Sequence, residues 1–171
     1  MGRDKALLPY RGGALVESVA RTVKQAAGSV TLVGRPRLYS HLGLPAIPDA
    51  YPRQGPIGGI LTALAHTSAD WNLVAACDMP GLSAKFLRML MEEAEDSGED
   101  VLVASGASGR PEPLCAVYHR RARPALEAAF QRGVRKALMA LLEVRLAILP
   151  VSQVTPFQNV NTPEDWARYV S

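Results

Sequence analysis

Apolar residues in this chain follow two alternating rhythms. Short runs rich in β-branched residues fall at 29–33 (SVTLV), 44–47, 71–76 (WNLVAA), 100–104 (DVLVA), 114–118 (LCAVY) and 145–149, and each predicts a strand. The run WNLVAA is nearly continuous in apolar character, as expected of a strand covered on both faces. Between the strands the spacing turns helical. Leu15, Val16, Val19, Ala20 and Val23 line one side of a helix over 14–26, closed by Gly28. Ile60, Leu61, Leu64 and Ala65 mark a second helix, and Phe86, Leu87, Leu90, Met91 and Ala94 a third. Ala125, Leu126, Ala129 and Phe130 mark a fourth, and Leu138, Leu141 and Leu142 a fifth. A last helix opens with Thr162 as N-cap, Pro163 at the first helical position and Glu164 and Asp165 in the first turn. Strands alternating with helices predict an α/β sandwich with a mostly parallel sheet. In such sheets ligands bind beyond the carboxyl ends of the strands, so the loops that follow strands are the place to look for chemistry.

Composition narrows the reading. The chain has 171 residues and is 48% hydrophobic, enough for one domain with a substantial core. There is no internal repeat or charge block, so a single domain over 1–171 is expected. No run of about 18 apolar residues and no apolar leader predicts a membrane span or secretion signal. Lys and Arg exceed Asp and Glu by 19 − 16 = 3. That mild excess suits a phosphate-bearing small substrate and is too weak to argue for nucleic acid. Cys77 and Cys115 lack CxxC spacing and read as two buried thiols of a cytoplasmic protein. The histidines show no metal-binding spacing, and no serine sits in a GxSxG elbow.

Asp78 directly follows WNLVAA, in Cys77-Asp78-Met79-Pro80. A carboxylate there is a hard oxygen ligand aimed at the ligand crevice, suited to Mg²⁺ bridging phosphates; it could equally be a helix-capping or turn aspartate. Arg53-Gln54-Gly55-Pro56-Ile57-Gly58-Gly59 opens the second helix. Its glycines allow close backbone approach, its helix N-terminus favours anions or polar base edges, and Arg53 could contact phosphate. The alternative is a simple turn. Lys5 could supply a point charge to a phosphate or be a solvated surface residue. Asp49 could accept hydrogen bonds from a ribose or base, or close an Asx-turn. Asn159 and Asn161, two apart before the last helix, could read a polar ligand or complete a metal's outer shell, or be a cap or turn pair.

Together the segments MGRDKALLPYRG, DAYPRQGPIGGILTAL, VAACDMPGL, PLCAVY and NVNTPEDW resemble the molybdenum cofactor guanylyltransferase family, in its order and spacing over nearly the whole chain. The CDMP and GPxGG pieces are shared with transferases that use other nucleotides; the NVNTPED ending favours the molybdopterin branch. The resemblance implies a three-layer, Rossmann-like nucleotidyltransferase fold. It implies transfer of GMP from GTP to molybdopterin with release of pyrophosphate. Lys5 then falls on the triphosphate lysine, Asp78 on the magnesium aspartate and Asp49 on a nucleotide-binding aspartate. Gly55, Pro56 and Gly59 fall on the loop near the base, with Arg53 assisting at phosphate. Asn159 and Asn161 fall on the pterin side. The family's signature carries a strand and a glycine-rich L-A-G-G-x-S-x-R turn before M-G-x-D-K, so the domain is expected to be incomplete at its N-terminus. That strand is central in the family's sheet, and its loss would leave strand edges open. Val33-Gly34-Arg35 stands where members often carry an asparagine. A CTP-using relative, and a non-catalytic cofactor-binding member, are the alternatives. Molybdoenzyme apoproteins or cofactor-delivery proteins are implied partners.

Overall fold

The computed structural model describes residues 5–106 and 108–151. A short hairpin, β1 (Pro9–Tyr10) and β2 (Gly13–Ala14), comes first, turned by Arg11 (φ 48°) and Gly12 (φ 81°). Two successive positive φ angles give the tight turn whose twist matches a hairpin. Helix α1 (Leu15–Ala27) follows. Its apolar side, Leu15, Val16, Val19, Ala20 and Val23, is buried, and Gly28 (φ 78°) ends it by donating its N–H to the Lys24 carbonyl at 2.9 Å. Strands β3 (Leu32–Gly34) and β4 (Ala46–Pro48) pair in parallel, separated by the short helix α2 (Pro36–Tyr39) and a 3-10 turn, Ser40–Leu42.

After α3 (Pro56–His66) comes β5 (Trp71–Ala75), then α4 (Ala84–Ser97), capped by Ser83, whose hydroxyl accepts from Phe86 N–H at 3.2 Å. Strands β6 (Val101–Ser105) and β7 (Pro111–His119), helices α5 (Arg123–Gln131) and α6 (Ala137–Ala140), and strand β8 (Leu146–Pro150) complete the described elements. The larger sheet has the order β5-β7-β6-β8, with β8 parallel to β6 and β7 antiparallel to both β5 and β6. Three of its four strands therefore run the same way and β7 is reversed. The connection from β6 to β7 spans only residues 106–110, too short for a parallel crossover, which needs a dozen residues or more. Among the described residues β3 and β5 each have a hydrogen-bonded neighbour on one edge only.

Alternation along the strands builds two cores. Val101 and Val103 of β6 and Ala116 and Tyr118 of β7 face α3, α5 and α6. Leu102, Ala104, Cys115 and Val117 face α1 and α4, meeting fully buried Leu87 and Leu90. Burying one such leucine contributes roughly 1.5–3 kcal/mol. The result is a three-layer α/β sandwich, with every residue of β6 buried. Cys115 is buried, its thiol pushed up to about 12 mainly by desolvation, whereas Cys77 is only half-buried, contrary to the expectation of two buried thiols; both are free. Among the described residues no helix is long and apolar enough to cross a membrane. The Thr162 helix lies outside them.

At the amino end of β6, Asp100 accepts from Arg145 Nη2 at 2.8 Å and pairs with Arg121 Nε, tying together the starts of β6 and β8 and the end of β7. The Arg145 hydrogen bond, helped by Arg121, lowers the Asp100 carboxyl to about 2. A depressed carboxylate contributes stability that is present above its unfolded value, about 4, and lost as pH falls through the folded value. Unfolding free energy measured in urea is therefore expected to decline from about pH 4 to pH 2. Asp100→Asn should lower stability at neutral pH and flatten that decline; an identical acid limb in the variant would refute the clasp.

Candidate active site

Strand β5 ends at Ala75, but its pairing with β7 runs one residue further, since Ala76 N–H donates to the Leu114 carbonyl at 2.8 Å. A turn at Cys77–Asp78 follows. Met79 then drops into the α1–α4 core at 1% exposure, and its carbonyl accepts from Leu82 N–H. Asp78 is thus held between a paired strand and a buried anchor, at the carboxyl end of β5. Its own side chain is half-buried. Desolvation raises its carboxyl above the ordinary carboxylate value, against lowering by its own backbone N–H and by the charge of Lys5. Lys5, in the 3-10 turn Lys5–Leu7, is therefore close enough to Asp78 to act on it.

A third charged group joins them. Glu112, near the start of β7, is half-buried and also raised, first by desolvation and further by Asp78, while the Leu114 N–H and Arg110 lower it. Glu112 stands in Pro111-Glu112-Pro113, where nothing local in the sequence marks it. Its signal was the pairing of 71–76 with 114–118, visible only once the two runs are known to be antiparallel.

A second group forms around the start of α3. Asp49 follows β4, and its Oδ1 accepts from Tyr51 N–H at 2.9 Å and from the Thr62 hydroxyl at 3.1 Å. The Asx-turn is thus present for that oxygen. Buried Thr62 also lies 2.8 Å from the Gly58 carbonyl and accepts from Ala50 N–H at 3.1 Å. Asp49 N–H donates to the Gly34 carbonyl, joining the loops that leave β3 and β4. Exposed Arg53 has φ 65°, a left-handed conformation that a non-glycine residue holds at some cost and that clusters at ligand loops. Gly55 is the N-cap of α3 with φ 80° and ψ 178°, and Pro56 occupies N1. A Cβ on Gly55 would lie 2.8 Å from the Arg135 carbonyl oxygen, and one on Gly58 would lie 2.9 Å from both Cβ and O of Tyr51. A Cβ on Gly59 would meet nothing within 4 Å.

Arg135 was not foreseen. Its Nε donates to Gln54 Oε1 at 2.6 Å and its guanidinium lies 4.0 Å above the Phe130 ring, which in turn packs on Tyr51 at 4.8 Å. Nothing local in the sequence signals this brace, because residues 54 and 135 meet only through the packing of α3 on α5.

The structure therefore brings Lys5 and Asp78 together, and sets Asp49, Arg53 and Gly55 on the loop that runs from β4 into α3, with Pro56 and Gly59 in the first turn of that helix. Asn159 and Asn161 lie outside those residues. A separate open hollow sits at the other ends of β5 and β7, lined by Asp70, His119, Arg120, Arg121, Arg123 and Glu127. Each of its arginines is held in an ion pair, with Asp70, Asp100 or Glu127. It is away from the strand ends where the half-buried carboxylates gather.

The sequence profile of the MobA-like NTP transferase domain family matches residues 1–146. The chain belongs to this family. As a MobA-like transferase it is similar to the molybdenum cofactor guanylyltransferase of Vibrio atlanticus, at 32% identity over 98% of this chain and 87% of the relative. It is also similar to the crystal structure of molybdopterin-guanine dinucleotide biosynthesis protein A from Archaeoglobus fulgidus. That match has a TM-score of 0.82 and 31% identity, and covers 98% of this chain and 89% of the other. The same fold recurs in 2-C-methyl-D-erythritol 4-phosphate cytidylyltransferase from Thermus thermophilus, with a TM-score of 0.71 at 22% identity over 96% and 91% of the two chains. The MobA-like chain is thus an α/β nucleotidyltransferase. Enzymes of this kind generally work on a nucleoside triphosphate with a divalent metal. The donors at the end of β5 fit such a metal: they are hard carboxylate oxygens, beside a lysine suited to phosphate.

Proposed function

We propose that this transferase joins the GMP moiety of GTP to molybdopterin and releases pyrophosphate, in the cytoplasm and with Mg²⁺. The observation that carries the reading is the half-buried Asp78 beside the charge of Lys5 at the carboxyl end of β5. The names of the relatives similar over nearly the whole chain supply the substrate class.

No protein nucleophile is required. A terminal phosphate oxygen of the pterin attacks the α-phosphorus of GTP, the new O–P bond forms, and the bond from the α-phosphorus to the bridging oxygen of pyrophosphate breaks. Catalysis is then positioning and charge neutralisation. Mg²⁺, held by Asp78, would neutralise phosphate charge as pyrophosphate leaves. Lys5 holds the triphosphate, and Arg53 adds a contact from its exposed loop. Asp49, anchored through Oδ1, keeps its other oxygen for a nucleotide hydroxyl or base. Gly55 and Pro56 start the helix whose amides face the base, and Gly59, with open space over its Cα, lets the ligand approach the backbone. Asn159 and Asn161 serve the pterin. The finished dinucleotide would pass to molybdoenzyme apoproteins or to delivery proteins.

The test is pyrophosphate release by the full chain given molybdopterin and Mg²⁺ with GTP or CTP. Release with GTP, together with formation of the guanine dinucleotide, is expected. Preference for CTP would replace guanine by cytosine, and no release with either would overturn the transferase reading of this site.

A further inference from the structure

The loop that runs from β4 into α3 holds two left-handed residues close together, Arg53 with φ 65° and Gly55 with φ 80°. Glycine enters that region freely. Arginine holds it at a cost, and such conformations persist where the surroundings over-determine them. Gln54 N–H donates to the Tyr51 carbonyl at 3.1 Å, which closes the turn around Arg53. Further restraint comes from the chain that leaves α5.

Arg135 lies just past the end of α5 and is first fixed on its own side. Its Nη1 donates to the Phe130 carbonyl at 2.6 Å and to the Val134 carbonyl at 3.1 Å, and the guanidinium lies over the Phe130 ring. A cation on the last carbonyls of a helix also meets the negative end of its dipole. The planar fork is thereby oriented before it reaches the loop. Its Nε then donates to Gln54 Oε1 at 2.6 Å.

Two further contacts reinforce this one. Phe130 packs on Tyr51, where the turn begins, and the Arg135 carbonyl oxygen fills the space that a Cβ on Gly55 would need. Tyr51, Gln54 and Gly55 are thus each held from the segment 130–135. Arg53 stands exposed among them. A loop held in its bound conformation loses less freedom when a ligand arrives, so the gain falls on affinity.

We propose that Arg135 is a positioning residue for the nucleoside triphosphate: by clamping Gln54 it keeps Arg53 and the start of α3 in the conformation that receives the ligand. The inference rests on the reading of this loop given above. It adds that the loop is set from α5, by a residue that acts through Gln54 rather than on the ligand.

Steady-state pyrophosphate release by the full chain tests this, with the preferred triphosphate varied at saturating molybdopterin and Mg²⁺. Arg135→Ala and Gln54→Leu are each expected to raise the KM for the triphosphate about three- to tenfold while kcat changes less than about twofold, and the double variant to be little worse than either, as for two residues that act through one contact. Arg135→Lys keeps the charge but not the fork, so it should stay nearer to Arg135→Ala than to the parent. A raised KM in Arg135→Ala with none in Gln54→Leu, additive effects in the double variant, or full recovery in Arg135→Lys would overturn the clamp. An unchanged KM in both single variants, with only the melting temperature lowered, would make Arg135 structural and leave the transferase reading standing. No release by the unaltered chain with GTP or CTP would overturn both.

Discussion

Asp78→Asn is expected to lower the rate of pyrophosphate release by on the order of 10²–10³-fold, the scale of losing one electrostatic contact to the transition state. Asparagine keeps the size of the side chain and an acceptor oxygen, so the turn between Ala76 and buried Met79 should survive. What it lacks is the negative charge. The sign of the stability change separates this from unfolding. Burial raises the Asp78 carboxyl, and Glu112 beside it is raised in part by the Asp78 charge. A carboxyl whose folded value is raised is one whose ionised form folding disfavours, so above its unfolded value the charge opposes folding. The neutral variant should melt at the same temperature as the parent or slightly higher, while losing activity. A variant that keeps the full metal-dependent rate would remove Asp78 from the chemistry.

Gly55→Ala should do the opposite, acting through the backbone. Gly55 occupies a region of φ and ψ that only glycine enters readily, and its Cα approaches the Arg135 carbonyl so closely that a Cβ would lie 2.8 Å away. Forcing alanine there costs about 1–3 kcal/mol in backbone strain alone. The clash also pushes the loop off the Arg135 brace that holds Gln54. Urea midpoints should fall and half-saturation by GTP should rise together. Gly59→Ala is the matched control. Its Cβ would enter open space in a helix, where alanine is favoured over glycine by roughly 0.5–1 kcal/mol. Stability should therefore rise, while GTP binding weakens if the ligand approaches that backbone. A Gly59→Ala protein that is both more stable and unchanged in GTP affinity would mean that the start of α3 is not a nucleotide surface.

The two substitutions also separate what is local from what is tertiary around α3. Pro56 at N1 and glycine at the cap follow from the helix's own backbone needs and were legible from the sequence. That Gly58 is required by Tyr51, and Gly55 by Arg135, depends on what packs against them. Of the loop glycines, Gly55 and Gly59 were singled out from the motif; packing adds Gly58 and leaves Gly59 unconstrained by the protein itself.

The sequence by itself determined the elements and their order. The strand at 71–76 and the helix at 14–26 appear at Trp71–Ala75 and Leu15–Ala27, because period and caps are properties of neighbouring residues. It also determined that Asp78 follows a strand, since WNLVAA followed by a carboxylate is readable along the chain, although that strand is half-buried along its whole length rather than covered on both faces. Three things were decided only by the tertiary structure. The reversal of β7 was one: LCAVY is equally apolar in either direction, and a strand's direction is fixed by its partners. The small hairpin at Pro9–Ala14 and the short helix at Pro36–Tyr39 together were the second, each too brief to show a period. Glu112 was the third. Its place at the same end of the ladder as Asp78 depends on the pairing of β5 with β7, between residues far apart in sequence, and long-range pairing leaves no mark on local composition.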